Sequence, residues 1–239
     1  MFYMPSFTNS GFYIIAAVAP ALLLGYFVYR HDRIEKEPGS LLRKLFVGGI
    51  WSAGVAMIIE LVCEKAIPYI SGGEEMIYAV AEATMVAIAE ESAKYFFLKR
   101  RSWHSSHFNY RFDAIVYAVT VSLGFAAIEN VLYVFNYGTV DIIVQRALLT
   151  IPAHMSFAVY MGYYYGMAKI ADVHGNRSLC RMNQFAALLI AILLHAIYDG
   201  ALMINTDMSL LFFLIFVVLL DIFVILRIKR ESRTDTPIY

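Results

Sequence analysis

Apolar residues along this chain gather into seven long runs separated by short polar intervals, at about 12–29, 43–62, 78–98, 113–135, 146–168, 184–204 and 208–227. A helix rises about 1.5 Å per residue, so runs of about 20 residues match the hydrocarbon thickness of a bilayer. The pattern therefore predicts an all-α, polytopic transmembrane helical bundle of about seven spans. It forms a single integral-membrane domain over residues 1–239, because the longest polar interval, Lys99 to Phe112, is too short to bury a core of its own.

Basic residues test the span count independently, since Lys and Arg collect in short cytoplasmic loops. Arg30, Arg33, Lys36, Arg43 and Lys44 follow run one. Lys99, Arg100, Arg101 and Arg111 follow run three, Lys169, Arg177 and Arg181 follow run five, and Arg227, Lys229, Arg230 and Arg233 end run seven. The intervening loops are richer in Glu64, Glu74, Glu75, Asp141 and Asp207. This alternation predicts an N-terminus outside and a C-terminus in the cytoplasm. The residues before Tyr13 carry no Lys or Arg, so run one is expected to stay in the mature protein as a span.

One run breaks the apolar rule. Glu90, Glu91 and Lys94 lie inside the third, where each charge costs about 2.5–3.5 kcal/mol near the centre of an isolated membrane helix. Polar partners must face them from other spans. Glu90 and Glu91 stand four and three residues before Lys94, so either carboxylate can pair with the ammonium on one helix face. Span six carries His195 and Asp199 one turn apart, a spacing that lets the carboxylate orient the imidazole. Span four reads GFAAIEN, with Glu129 and Asn130 after the small residues Gly124, Ala126 and Ala127 that permit close helix approach. Span five contains Arg146, read as an interfacial anchor, then Pro152 and His154. Because alternate helices run in opposite directions, Glu90, Glu91, Glu129, His154, His195 and Asp199 can converge between the midplane and the outer leaflet. Glu60, Glu82 and Asp221 read as structural charges.

Composition adds little to this and removes several alternatives. Sixty per cent of the residues are hydrophobic and 16% are charged, outside soluble usage. The net charge of zero hides an asymmetry between faces that serves orientation, with no basic surface for nucleic acid. Cys63 and Cys180 fall at opposite ends of the bundle and are not expected to pair.

Three motifs on separate spans resemble the PrsW family of intramembrane proteases, relatives of the CAAX prenyl endopeptidases. EExxK stands here as Glu90, Glu91 and Lys94; FxxxE as Phe125 and Glu129, followed by Asn130; HxxxD as His195 and Asp199. Further similarity runs from Asp113 and Tyr117 to Gly124 and through Arg146, Pro152, His154, Gly162 and Gly166, so the family-like core covers about residues 80–200. Ala118 and Ser122 stand where glycine is expected in many relatives. The resemblance implies a multi-pass protease of the cell membrane that is metal-independent and needs no cofactor. Glu90, Glu91 and His195 would be catalytic, with Lys94, Glu129, Asn130, His154 and Asp199 supporting. The implied partners are the lipid bilayer and a membrane-anchored protein substrate such as an anti-sigma factor.

The residues by themselves leave other readings open. Acidic and imidazole groups inside a bundle also serve proton-coupled transporters, although those predict acidic groups along a whole pore. Several carboxylates and two histidines could hold zinc or a di-iron pair in a metal-dependent hydrolase, although no HExxH is present. A non-catalytic scaffold would tolerate neutralisation of Glu90, Glu91 or His195.

Overall fold

A computed structural model describes residues 7–137 and 139–239, with side chains from Gly11 onward; the expected single domain over 1–239 takes in residues 1–6 and 138, which lie outside the described residues. Seven long helices follow one another among the described residues. They are α1 (Phe7–His31), α2 (Gly39–Cys63), α3 (Glu75–Ser102), α4 (Asp113–Tyr137), α5 (Val140–Val173), α6 (Arg177–Ile204) and α7 (Asp207–Arg233). Each expected run lies within one helix, apart from the register of the fifth. There the helix starts at Val140, six residues before the expected boundary, and passes through a π turn at Arg146–Thr150 before resuming at Ile151. The π turn sits immediately ahead of Pro152, which has no N–H to give the preceding turn.

Six of the seven are long and apolar enough to cross a membrane; α3 falls outside that description because of its charges. Its arrangement is inside-out relative to a soluble helix. Ala79, Ala83, Ala87, Glu91, Lys94 and Leu98 recur at three- and four-residue intervals on the buried face, whereas Met76, Ile77, Val80, Ile88 and Phe96 are exposed. The charges face protein and the large apolar side chains face outward, as a bilayer requires. Helix α7 makes the same point with a broad exposed stripe that includes Leu211, Leu214, Val218 and Phe223.

Helix α4 is the enclosed centre: 72% of its apolar stretch is buried, against 22% for α7. It packs on α1, α2 and α5, while α3 lies between α2 and α6, and α5 runs alongside α6. Glycine sets the α2–α4 crossing from both sides. A Cβ on Gly49 would sit 1.9 Å from the Val121 carbonyl oxygen, and one on Gly124 would sit 2.1 Å from that of Phe46. On α5, a Cβ at Gly162 would come 2.6 Å from Ile115 Cα. Backbones approach here as closely as small-residue membrane interfaces allow. Ser122 contributes to the same seam, its hydroxyl donating to the His154 carbonyl at 2.9 Å. Ala118 is also buried in it.

At the end of the bundle bearing the basic loops, the C-terminal tail folds back on the segment before α4. Ile238 N–H donates to the Asn109 carbonyl, Arg111 N–H donates to that of Thr236, and the Arg111 guanidinium meets Glu231 at 2.8 Å. Ser232 also donates to the His31 carbonyl. At the opposite end, a Thr206–Ser209 capping box starts α7.

Because the atoms opposing Gly49 are backbone and cannot swing away, Gly49→Ala is expected to destabilise by about 3 kcal/mol or more. Gly54→Ala, where nothing lies within 4 Å of the added carbon, should stay within about 0.5 kcal/mol of the parent. Thermal unfolding of both variants in one detergent checks the contrast.

Candidate active site

The buried charges of α3 meet partners from three other helices. Lys94, 1% exposed, donates from Nζ to Glu90 Oε2 at 3.0 Å, to Glu91 Oε1 at 2.8 Å and to His154 Nδ1 at 3.2 Å. An ammonium has three donors, and all three are used. The same Nζ lies 4.0 Å from the centroid of the Phe125 ring, so the phenylalanine of FxxxE covers the cation with its π face.

Two imidazoles extend the cluster in different ways. His195 places Nδ1 2.9 Å from Glu91 Oε1 and 3.9 Å from Glu90 Oε2, and Nε2 3.1 Å from Asp199 Oδ2. A carboxylate therefore faces each ring nitrogen, and the i, i+4 spacing on α6 does what the sequence led us to expect. With Lys94 donating to His154 Nδ1, the other nitrogen carries the hydrogen and donates to Glu129 Oε2 at 3.0 Å. The two rings meet edge to face at 5.5 Å, and Phe157 stacks on His195 at 5.0 Å.

Glu129 is fixed from a second direction by Arg146, whose guanidinium lies 2.9 Å from Oε1 and donates from Nε to Asn130 Oδ1 at 2.6 Å. Asn130 in turn donates to the Ala17 carbonyl of α1 at 3.3 Å. Arg146 thus belongs to the cluster, where the sequence had suggested an interfacial anchor. It stands at the start of the π turn.

A cavity of about 490 Å³ opens onto this cluster, with Glu90, Glu129, Arg146, His154, His195 and Asp199 in its wall. Glu91 is absent from the wall and lies behind Glu90, 1% exposed, with Oε2 lacking a partner. Glu60 and Glu82, which read as structural charges, also line the cavity, along with Met57, Val86, Leu202 and Met203. A signal for Glu82 was present in its spacing: Glu82, Val86 and Glu90 lie on one helical face at four-residue steps. Glu60 had no such signal, because its placement depends on how α2 crosses α3. Asp221 lies elsewhere, accepting from Ser156 between α7 and α5 at 3.0 Å.

The donor types suit a metal as well as a proton-transfer centre. One ligand atom each from Glu90, Glu91, His154 and His195 lies within 4.8 Å of the others, and carboxylate with imidazole is a zinc or iron set. The interior of that set is where Lys94 Nζ makes its three bonds.

A bundle of membrane-spanning helices with a carboxylate and imidazole cluster opening onto a cavity within it is an arrangement suited to a membrane-embedded enzyme. A family model described as PrsW family intramembrane metalloprotease matches residues 37–226, a wider stretch than the motifs alone cover. Among curated relatives, Protease PrsW of Clostridioides difficile (strain 630) is 32% identical over 86% of this chain and 85% of its own length. Protease PrsW of Geobacillus kaustophilus (strain HTA426) is 34% identical over 80% and 79%, and that of Bacillus subtilis (strain 168) 32% over 78% and 80%. No solved structure matches the chain. The chain belongs to the PrsW family of intramembrane proteases and is a multi-pass protein of the cell membrane.

Removing the ammonium should cost more than removing either carboxylate. Lys94→Met leaves Glu90 and Glu91 buried without a counter-charge, a loss of about 3–5 kcal/mol, whereas Glu90→Gln keeps the pair formed by Lys94 and Glu91. Folded yield and thermal stability in detergent are expected to fall sharply for the first and little for the second.

Proposed function

We propose that this chain hydrolyses a peptide bond in a membrane-anchored protein, such as an anti-sigma factor, using water activated by Glu90 and His195 without a metal. The observation that carries this reading is the pairing of Glu90 with His195 on one cavity wall, 3.9 Å apart, with Glu91 and Lys94 held behind them. Glu90 takes a proton from water as its oxygen attacks the scissile carbonyl carbon. It then returns that proton to the departing amine as the C–N bond breaks. The imidazole of His195, with Glu91 and Asp199 on its two nitrogens, is held beside Glu90, where it borders and positions the attacking water. Lys94 holds Glu90 in place, and Glu129, Arg146 and His154 hold the far wall. Met57, Val86, Leu202 and Met203 give the cavity an apolar lining suited to the unwound end of a substrate span.

A metal-dependent reading is favoured by the donor set itself and by the name of the matching family model. Glu90, Glu91, His154 and His195 would hold the ion, which when bound would polarise a water or the scissile carbonyl. The three bonds of Lys94 inside that set favour the metal-free reading, because an ammonium there already supplies the positive charge.

Glu90→Gln, Glu91→Gln and His195→Ala are each expected to lower cleavage by about 10²–10⁴-fold. The check is a comparison of membrane-protein N-termini from cells carrying the parent or a variant at equal levels. New termini beside single spans, absent in all three variants, identify the substrate; identical profiles refute the protease reading. For the purified parent, cleavage should survive a strong chelator, and metal-restored cleavage after its loss would establish the metal-dependent alternative.

The basic loops support an orientation with the end opposite the cavity in the cytoplasm, which gives cleavage near the extracytoplasmic side. In a chain with Cys63 and Cys180 replaced by Ser, a membrane-impermeant maleimide should label Glu74→Cys and spare Arg177→Cys in intact cells. The reverse pattern would invert the topology.

A further inference from the structure

A second group of buried carboxylates lies at the basic-loop end, where the described reaction has no use for it. Asp32 and Glu37 come from the loop between α1 and α2, and Asp113 from the first turn of α4. All three are 3% exposed or less, and one oxygen from each lies within 4.8 Å of the others. Each also keeps an oxygen with no hydrogen-bond partner: Asp32 Oδ2, Glu37 Oε2 and Asp113 Oδ1. Two further oxygens from the adjoining segments, Asp235 Oδ2 of the tail and Asn109 Oδ1, are equally unpartnered, and Asp235 is near enough to repel Asp32.

The neighbouring cations make their hydrogen bonds to other groups, while Lys36 offsets part of the Asp32 charge and Arg111 Nε has no partner. Lys36 donates to the backbone carbonyls of Tyr29 and Asp32 and lies over the Tyr29 ring. Arg111 is held by Glu231 and Thr234. Among the described residues no Lys, Arg or His forms a salt bridge with Asp32, Glu37 or Asp113. The backbone N–H groups of Asn109 and Tyr110 already hold Asp113 Oδ2. Buried charge without a partner is expensive, and three such groups together add mutual repulsion. Burial accordingly pushes the Asp32 carboxyl up to about 6 and that of Glu37 up to about 7.

We propose that Asp32, Glu37 and Asp113 form a binding site for a hard divalent cation that ties the α1–α2 loop to the start of α4, with Asp235 and Asn109 completing it from the tail side. An all-oxygen set suits calcium or magnesium over zinc. The site is a latch: it joins the first loop, the central helix and the chain's end without touching the intramembrane cluster.

The test uses the purified full chain in detergent after removal of divalent ions with EDTA. Addition of CaCl2 or MgCl2 to the parent is expected to raise Tm by about 5–10 °C once the ion exceeds its Kd by roughly 100-fold. Comparing the two ions identifies which one the site prefers. Terbium, a calcium surrogate, should bind with emission sensitised by Tyr117, which lies beside Glu37. Asp32→Asn and Glu37→Gln should weaken terbium binding at least tenfold and abolish most of the Tm rise, while Glu90→Gln retains both. If those variants fail to accumulate, Asp235→Asn, on the tail outside the helices, serves for the same comparison and should weaken binding. No ion-dependent rise in the parent would overturn the proposal, as would a rise that Glu90→Gln removes and Glu37→Gln keeps.

Discussion

The ammonium of Lys94 is the interaction on which the intramembrane cluster of this molecule depends. Two carboxylates in one turn of a membrane helix would be untenable alone; with three donors directed at Glu90, Glu91 and His154, one cation bridges them and sets their geometry. Everything around it follows in sequence. Glu91 positions His195, His154 positions Glu129, and Glu129 draws Arg146 in from the π turn of α5. The network crosses from α3 to α4, α5 and α6, so it also registers these helices against one another. A single polar cluster thus supplies both packing specificity and the groups that face the cavity.

That arrangement needs helices that come unusually close. The facing glycines of α2 and α4 remove the side chains that would hold these backbones apart, and Gly162 does the same between α4 and α5. With α4 so enclosed, Phe125 and Glu129 reach Lys94 and His154 directly. Dispersion between close backbones, with few large side chains to order, is the packing force available where lipid offers no hydrophobic contrast. The alanine stripe on α3 serves the same end below the charged turn.

The two buried acidic groups solve the same electrostatic problem differently. Within the bundle, carboxylates are matched by Lys94, Arg146 and two imidazoles. At the basic-loop end, Asp32, Glu37 and Asp113 form no salt bridge, and each keeps an unpartnered oxygen. The contrast is the basis for the cation site proposed for the second group, which lies apart from the intramembrane cluster.

The spans were legible in the sequence because transfer of apolar side chains into lipid is local and additive: each run of about 20 residues declares itself without reference to its neighbours. The pairs within one helix, Glu90 and Glu91 with Lys94 and His195 with Asp199, were legible for the same reason, since helical periodicity fixes which side chains share a face. Tertiary structure alone decided the rest. That Glu90 faces the cavity while Glu91 lies behind it depends on the rotation of α3 against α6. That Arg146 joins Glu129 depends on how α5 packs against α4, and that Glu60 lines the cavity depends on where α2 crosses α3. Asp32 and Glu37 gave no signal, because they lie in a loop where acidic residues are ordinary, and Asp113 entered only through the resemblance, with nothing to join it to them. Their meaning arises only when folding removes them from water together.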